Sequence, residues 1–206
     1  MTRRGIASWQ FGQMPIITGV LYILAATLLI LFYIFGQPFG TLNDFFNGVA
    51  GISSGVLALM LFRRFHTVSP LLSRIGIVLA GIGVIASILG SVFVISGMTG
   101  WVLAGLYTVA GNALIGLWVL TLCYSLLKHD LLPRKLLILG IVSGVLLASG
   151  LVVLPGILSG YDSEDTIPWY LYVAGLNALS GAILYPIWCI WLGRTLLRTQ
   201  NLTEKL

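Results

Sequence analysis

The sequence predicts an all-α integral membrane protein, a six-helix bundle built from three tandem parallel helical hairpins. Hydrophobic residues make up 58% of the chain and charged residues 8%, with a mean hydropathy of +1.04, which lies outside the usual range of soluble domains. The apolar residues form six runs that are long enough to cross a bilayer as helices. An asparagine with similar neighbours recurs at 65-residue intervals. These observations predict the span type, the span number and the repeat.

The six predicted spans are long, continuous apolar runs. A helix needs about 20 residues to cross roughly 30 Å of hydrocarbon. Strands of a membrane barrel would be shorter and would alternate polar with apolar residues, so helices are the predicted form. In chain order the spans are Met14–Phe35, Phe45–Phe62, Leu71–Ile95, Trp101–Leu127, Leu136–Leu158 and Trp169–Leu192.

The charged residues predict the orientation of these spans. If the helices alternate in direction, all eleven basic residues fall on one side: Arg3, Arg4, Arg63, Arg64, Arg74, Lys128, Arg134, Lys135, Arg194, Arg198 and Lys205. The opposite connections carry Asp44, Asp162, Glu164 and Asp165. The positive-inside rule then predicts that both termini are cytoplasmic. The net charge of +5 therefore reports topology, and we expect no nucleic-acid partner.

Each even-numbered span carries an asparagine four residues before a glycine. The pairs are Asn47/Gly51, Asn112/Gly116 and Asn177/Gly181. The asparagines precede the basic residue at the end of their span by 16, 16 and 17 residues, or roughly 24 Å along a helix. We interpret the chain as one transmembrane domain, residues 1–206, of three hairpins, 1–66, 67–129 and 130–206. Each hairpin starts and ends on the cytoplasmic side, so the repeats are parallel rather than inverted.

Small residues and one proline predict how the helices pack. Gly51/Gly55 and Gly140/Gly144 form G-x-x-x-G pairs, which let helix backbones approach closely in lipid. Pro186 lies inside the last span, where a missing backbone hydrogen bond predicts a bend.

The asparagines allow two interpretations. Each amide could bond a neighbouring helix and hold the hairpins in register, because a glycine one turn away suits close packing. Alternatively, the three amides could surround an outward-opening cavity and bind the polar head of an amphiphile. Tyr107 and Tyr172 each lie five residues before an asparagine, which favours the cavity, whereas Leu42 takes that place in the first repeat. The candidate ligand-binding residues are thus Asn47, Asn112, Asn177, Tyr107 and Tyr172.

Catalytic and redox groups are sparse in this sequence. No Asp, Glu, Lys, Arg or His lies in the central part of a predicted span, which argues against proton relays, coupled carriers and voltage sensors. His66 and His129 lie where even spans leave the membrane and are expected to be solvated. Cys123 and Cys189 lack C-x-x-C spacing and are expected to be buried, reduced thiols. We predict no catalytic residue, no metal site and no cofactor.

Part of the C-terminal half resembles bacterial membrane proteins. The segments LLKHDLLPRKLLILGIVSGVLLASG and LYPIWCIWLGRTLLR are similar to stretches of uncharacterised bacterial multi-pass membrane proteins, classed as domains of unknown function. The resemblance implies a location in the bacterial inner membrane. It implies no activity and no functional residues.

The sequence favours a non-enzymatic membrane protein that serves as a lipid- or amphiphile-binding module or as an assembly module of a membrane complex. The expected partners are membrane lipids, and a membrane-protein partner or a second copy of the chain. One alternative is an uncoupled channel or carrier for a small or amphiphilic solute, which would need a continuous polar path. A second is an enzyme acting on lipid headgroups through His66 and His129 at the cytoplasmic face.

Overall fold

The computed structural model describes residues 3–163 and 166–203, with side chains for 12–163 and 166–199. Within those residues the chain is helical and contains six helices long and apolar enough to cross a membrane. The predicted all-α six-helix bundle and its multi-pass character are therefore confirmed. Glu164, Asp165 and Lys205, which the orientation prediction used, lie outside the described residues.

The first four spans are single helices joined by short turns. They are α1 (Arg3–Phe35), α2 (Phe39–Phe65), α3 (Pro70–Ile95) and α4 (Trp101–Leu126). Helix α2 begins six residues before the predicted span, so Asp44 lies within the helix and not in a connection as we predicted. Thr41, Asn43 and Asp44 lower the local hydropathy, but they do not break a helix that begins after Pro38.

The last two spans are composite. Span 5 consists of α5 (Arg134–Ala148), a 3₁₀ turn (Ser149–Val153) and α6 (Leu154–Leu158). Span 6 consists of α7 (Trp169–Leu179), a π-helical segment (Ser180–Leu184) and α8 (Tyr185–Thr203). The π segment ends two residues before Pro186, the residue for which the sequence predicts a bend. Such bulges commonly deform helices at functional sites.

Consecutive spans are antiparallel neighbours around a ring, and α8 returns to pack along α1. Helix α2 packs on α3 and α4 on α5, across the predicted hairpin boundaries, as well as α1 on α2 and α3 on α4. The packing therefore does not divide the bundle into separate hairpins, and the three-hairpin repeat stays a prediction. All connections after odd-numbered spans lie at one end of the bundle, which we call the distal end.

Glycines lie where helices approach most closely, as predicted. A Cβ placed on Gly51 would lie 2.8 Å from Cβ of Ser87 in α3, and one on Gly144 would lie 2.8 Å from the carbonyl oxygen of Gly116 in α4. Gly193 of α8 would meet the carbonyl oxygen of Gly12 in α1 at 2.6 Å. A side chain at any of these three glycines would overlap the neighbouring helix. The close approach of the helices therefore depends on glycine at these positions.

The half of the bundle that holds both termini is densely packed. Tyr185, Trp188 and Leu57 are almost completely buried in its core, and Cys123 and Cys189 are buried there as free thiols. The burial expected for both cysteines is confirmed. The described basic side chains lie at this end, beyond the core. The distal half, in contrast, contains a cavity.

Candidate functional site

The distal half encloses a partly open cavity of about 510 Å³ between α1, α2, α4 and span 6. Alanines and glycines make much of its wall and thereby create its volume: Ala25, Ala26, Gly105, Ala174, Gly175, Ala178, Gly181 and Ala182. All three predicted asparagines, Asn47, Asn112 and Asn177, line it. We call this space the amide cavity.

Asn177 joins two helices. Its amide nitrogen donates to the carbonyl oxygen of Leu147 in α5 and, at 3.4 Å, to that of Val109 in α4. The side chain is 1% exposed, and a Cβ on Gly150 would lie 2.5 Å from its amide nitrogen. The amide thus fills a space that glycine leaves where α5 gives way to the 3₁₀ turn. This residue matches the packing interpretation while also contributing to the cavity wall.

Asn112 belongs to the cavity floor. The hydroxyl of Tyr22 donates to Oδ1 of Asn112 at 2.9 Å, and the hydroxyl of Tyr185 donates to Oγ of Ser54 at 3.0 Å. Ser54 in turn donates to the hydroxyl of Tyr22 at 3.5 Å, and the two tyrosine rings meet edge to face at 4.9 Å. These hydrogen bonds connect the buried tyrosine rings that close this end of the cavity, which we call its floor. The Asn112 amide nitrogen makes no hydrogen bond to another described residue.

Among the residues that the structure describes, Asn47 bonds only within its own helix. Its amide nitrogen donates to Oδ1 of Asn43 at 3.1 Å, and Asn43 donates to the carbonyl oxygen of Ala25 in α1 at 2.8 Å. Asn43, rather than Asn47, therefore ties α2 to α1. Oδ1 of Asn47 accepts no hydrogen bond from the described residues.

The cavity is partly open between α1 and α7. Helix α1 packs closely along α8 and reaches the π segment, but it has no comparable packing with α7. Gly175 and Ala178 of α7 and Tyr33 of α1 line the cavity and are exposed. The gap between α1 and α7 therefore faces the surroundings of the bundle.

The two predicted tyrosines lie outside the lining. Tyr107 packs its ring against Phe93 of α3 at 5.5 Å, and Tyr172 is 70% exposed on the outer surface. Five residues along an α-helix turn the side chain by about 140°, so both tyrosines leave the face that carries their asparagine. Spacing in sequence suggested proximity that the helical period does not allow.

A search for polar residues four positions before each asparagine would have identified two further residues of the cavity lining. Asn43 and Thr108 lie four residues before Asn47 and Asn112, and both line the cavity. Asp44, Tyr33 and Trp101 also line it, but their sequence positions near span ends carried no such signal. Asp44 was overlooked because we assigned it to a connection.

The remaining sequence candidates lie elsewhere. His66 and His129 are exposed and absent from the cavity lining, and the His66 ring lies within 3.2 Å of the Phe62 carbonyl oxygen. Asp162 caps α4, since its carboxylate accepts the backbone N–H groups of Gly100 and Leu103. Among the described residues no group of His, Cys, Asp or Glu could hold a metal ion.

No protein-family model matches this chain, and no match was found among curated proteins or solved structures. The function must therefore be inferred from the geometry of the amide cavity.

Proposed function

We propose that this polytopic membrane protein is non-enzymatic and binds a lipid-like amphiphile in the amide cavity. The proposal rests on three features of this one cavity: lateral access between α1 and α7, a wall of small apolar residues, and amides from all three even-numbered spans. An amphiphile needs all three, because its chain must arrive from lipid and its polar head must find partners away from water.

The size of the cavity suits such a ligand. Small-molecule sites enclose roughly 300–1,000 Å³, with mostly apolar walls and a few placed polar groups, and the amide cavity measures about 510 Å³. The unengaged Oδ1 of Asn47 and amide nitrogen of Asn112 offer an acceptor and a donor to a headgroup. Neither group is needed to hold a helix, so both are available for recognition.

The closed floor favours binding over transport. A channel or carrier needs a polar path to the opposite face, and the space below Asn112 is filled by Tyr22, Tyr185 and Trp188, which are 5%, 0% and 1% exposed. The remote position of His66 and His129 likewise favours binding over headgroup chemistry.

We propose further that the protein lies in a bacterial inner membrane with both termini in the cytoplasm. The segregation of basic residues to the termini end supports this orientation. In intact cells, a cysteine at Met98 should react with an impermeant maleimide, while one at Thr67 should be protected. Both positions are exposed in turns, and the buried native thiols give little background. Reaction at Thr67 alone would reverse the orientation.

Filling the cavity tests the binding proposal. A Cβ on Gly105 or Gly175 meets no atom within 4 Å, and both residues line the cavity. Leucine at either position should therefore fold normally and occupy the ligand's space. Gly81 is the matched control, because its Cβ would also meet nothing and it lies on α3, outside the lining.

Native mass spectrometry of protein extracted in mild detergent reads out the result. We expect one retained amphiphile on the wild type and on Gly81→Leu, and its loss from Gly105→Leu and Gly175→Leu at unchanged melting temperature. Equal retention by all four proteins would overturn the proposal. A retained second copy or protein partner that Gly175→Leu expels would instead make the cavity an assembly site.

A further inference from the structure

Asp44 is a carboxylate without a partner among the described residues. It lines the amide cavity, is neither fully buried nor fully exposed, and makes no hydrogen bond or ion pair with any described residue. Taking a carboxylate partly out of water is costly unless an opposite charge or donors compensate it. No described side chain compensates the charge of the Asp44 carboxylate.

The sequence explains why no side chain can supply a compensating cation. There is no Lys, Arg or His between Arg4 and Arg63, between Arg74 and Lys128, or between Lys135 and Arg194. Every residue of the cavity lining comes from these stretches. The described basic groups lie at the other end of the bundle, beyond the packed core.

Two aromatic rings line the same cavity as Asp44. Tyr33 and Trp101 line the same cavity, and their ring centroids lie 6.4 Å apart with the planes at 87°. Ring faces attract ammonium groups, and quaternary ammonium ligands are commonly held between such rings. A carboxylate, two aromatic rings and amide oxygens together favour a cation and disfavour an anion.

We infer that the ligand of the amide cavity carries an ammonium headgroup, which pairs with Asp44 and rests against Tyr33 and Trp101. This inference rests on the proposed amphiphile binding and specifies its chemistry. The Asn47 Oδ1 accepts a hydrogen bond from a primary amine, and the apolar part of the ligand lies along Gly175 and Ala178 toward the opening. An amine-headed lipid and a free lipophilic cation share this chemistry.

Two probe ions of the same shape test the sign of the charge. Tetraphenylphosphonium and tetraphenylborate are both bulky and apolar and differ in charge. In equilibrium dialysis against detergent-solubilised protein, the cation should bind to one site that Gly175→Leu abolishes. The anion should bind at least about tenfold more weakly, since it would face an unscreened carboxylate.

Variants of Asp44 test whether its carboxylate is the group that binds the cation. Asp44→Asn keeps the size and should weaken cation binding by about tenfold or more, because a charged partner is lost. Asp44→Glu should retain most of it, and Asp130→Asn, an exposed carboxylate in the α4–α5 turn, should change nothing. Equal binding of both ions, or no effect of Asp44→Asn, would overturn the inference while leaving amphiphile binding intact.

A competition experiment distinguishes a lipid headgroup from a free lipophilic cation as the ligand. Displacement of the bound cation by phosphatidylethanolamine but not by phosphatidylglycerol would assign an amine-headed lipid. Displacement by neither lipid, with cation binding still dependent on Asp44, would assign a free lipophilic cation. Displacement by both lipids alike would show that headgroup charge is not recognised and would contradict the inference.

Discussion

The two halves of this bundle contain the same kinds of small residues, but one half is densely packed and the other contains a cavity. In the termini half, glycines allow backbones to touch and Tyr185 and Trp188 fill the remaining space. In the distal half, glycines and alanines face one another across a void of about 510 Å³. The difference begins at the π segment of span 6, below which α8 packs on α1 and above which α7 does not.

The comparison shows that a small residue in a membrane helix has two structural meanings. Gly116 is packed against span 5, where a Cβ would lie 2.9 Å from the carbonyl oxygen of Gly144. Gly181, its counterpart in the sequence repeat, would place a Cβ 3.8 Å from the nearest atom, on Leu147, and lines the cavity. The repeated Asn-x-x-x-Gly pattern therefore serves packing at one position and volume at another.

The largest effect should come from filling these two glycines. Gly116→Leu forces α4 and α5 apart and should cost about 3 kcal/mol or prevent folding, as overpacking of a tight core does. Gly181→Leu should leave the melting temperature nearly unchanged and displace the amphiphile. Thermal unfolding in detergent measures both, and equal destabilisation by the two variants would contradict the assignment of Gly116 to helix packing and of Gly181 to the cavity wall.

A smaller effect should separate the asparagines. Asn177→Ala removes two interhelical hydrogen bonds and leaves the Leu147 carbonyl oxygen without its side-chain donor, which should cost about 1–2 kcal/mol. Asn47→Ala removes one bond within a helix and should cost less than about 0.5 kcal/mol. If Asn47→Ala proves the more damaging, the assignment of Asn177 to packing and of Asn47 to the ligand is wrong.

The smallest effect concerns the cap of α4. Asp162→Ala leaves the N–H groups of Gly100 and Leu103 without their acceptor and should cost about 1 kcal/mol, a typical value for a lost helix cap. Asp162→Asn keeps a hydrogen-bond acceptor and should cost less. Hydrogen exchange should quicken in the first turn of α4 alone, and quickening throughout the bundle would contradict a local role.

Much of the architecture could be predicted from the sequence because hydropathy depends on composition over long windows. Trp101 was correctly placed as the first residue of α4, and the bounds of α3 differed by one residue. The start of α2 was missed because Asp44 is polar, although a polar face suits a helix that lines a cavity. The 3₁₀ turn and the π segment involve changes of hydrogen-bond register that leave no period in the sequence.

The site was only partly predictable for a related reason. Asn47, Asn112 and Asn177 could be selected because amides are rare in apolar spans and these recur at fixed intervals. Tyr33 and Trp101 meet only after the chain has folded, since they belong to different helices 68 residues apart in sequence. The gap between α1 and α7 likewise depends on the path of span 6, and no local pattern predicts it.

An experimental structure determined in a lipid bilayer environment would show whether the amide cavity holds an amphiphile that enters between α1 and α7. We expect elongated density with its head between Asp44 and Trp101 and its tail passing Gly175 and Ala178 into the bilayer. A cavity that holds only water, with α7 packed against α1 along its length, would contradict the account.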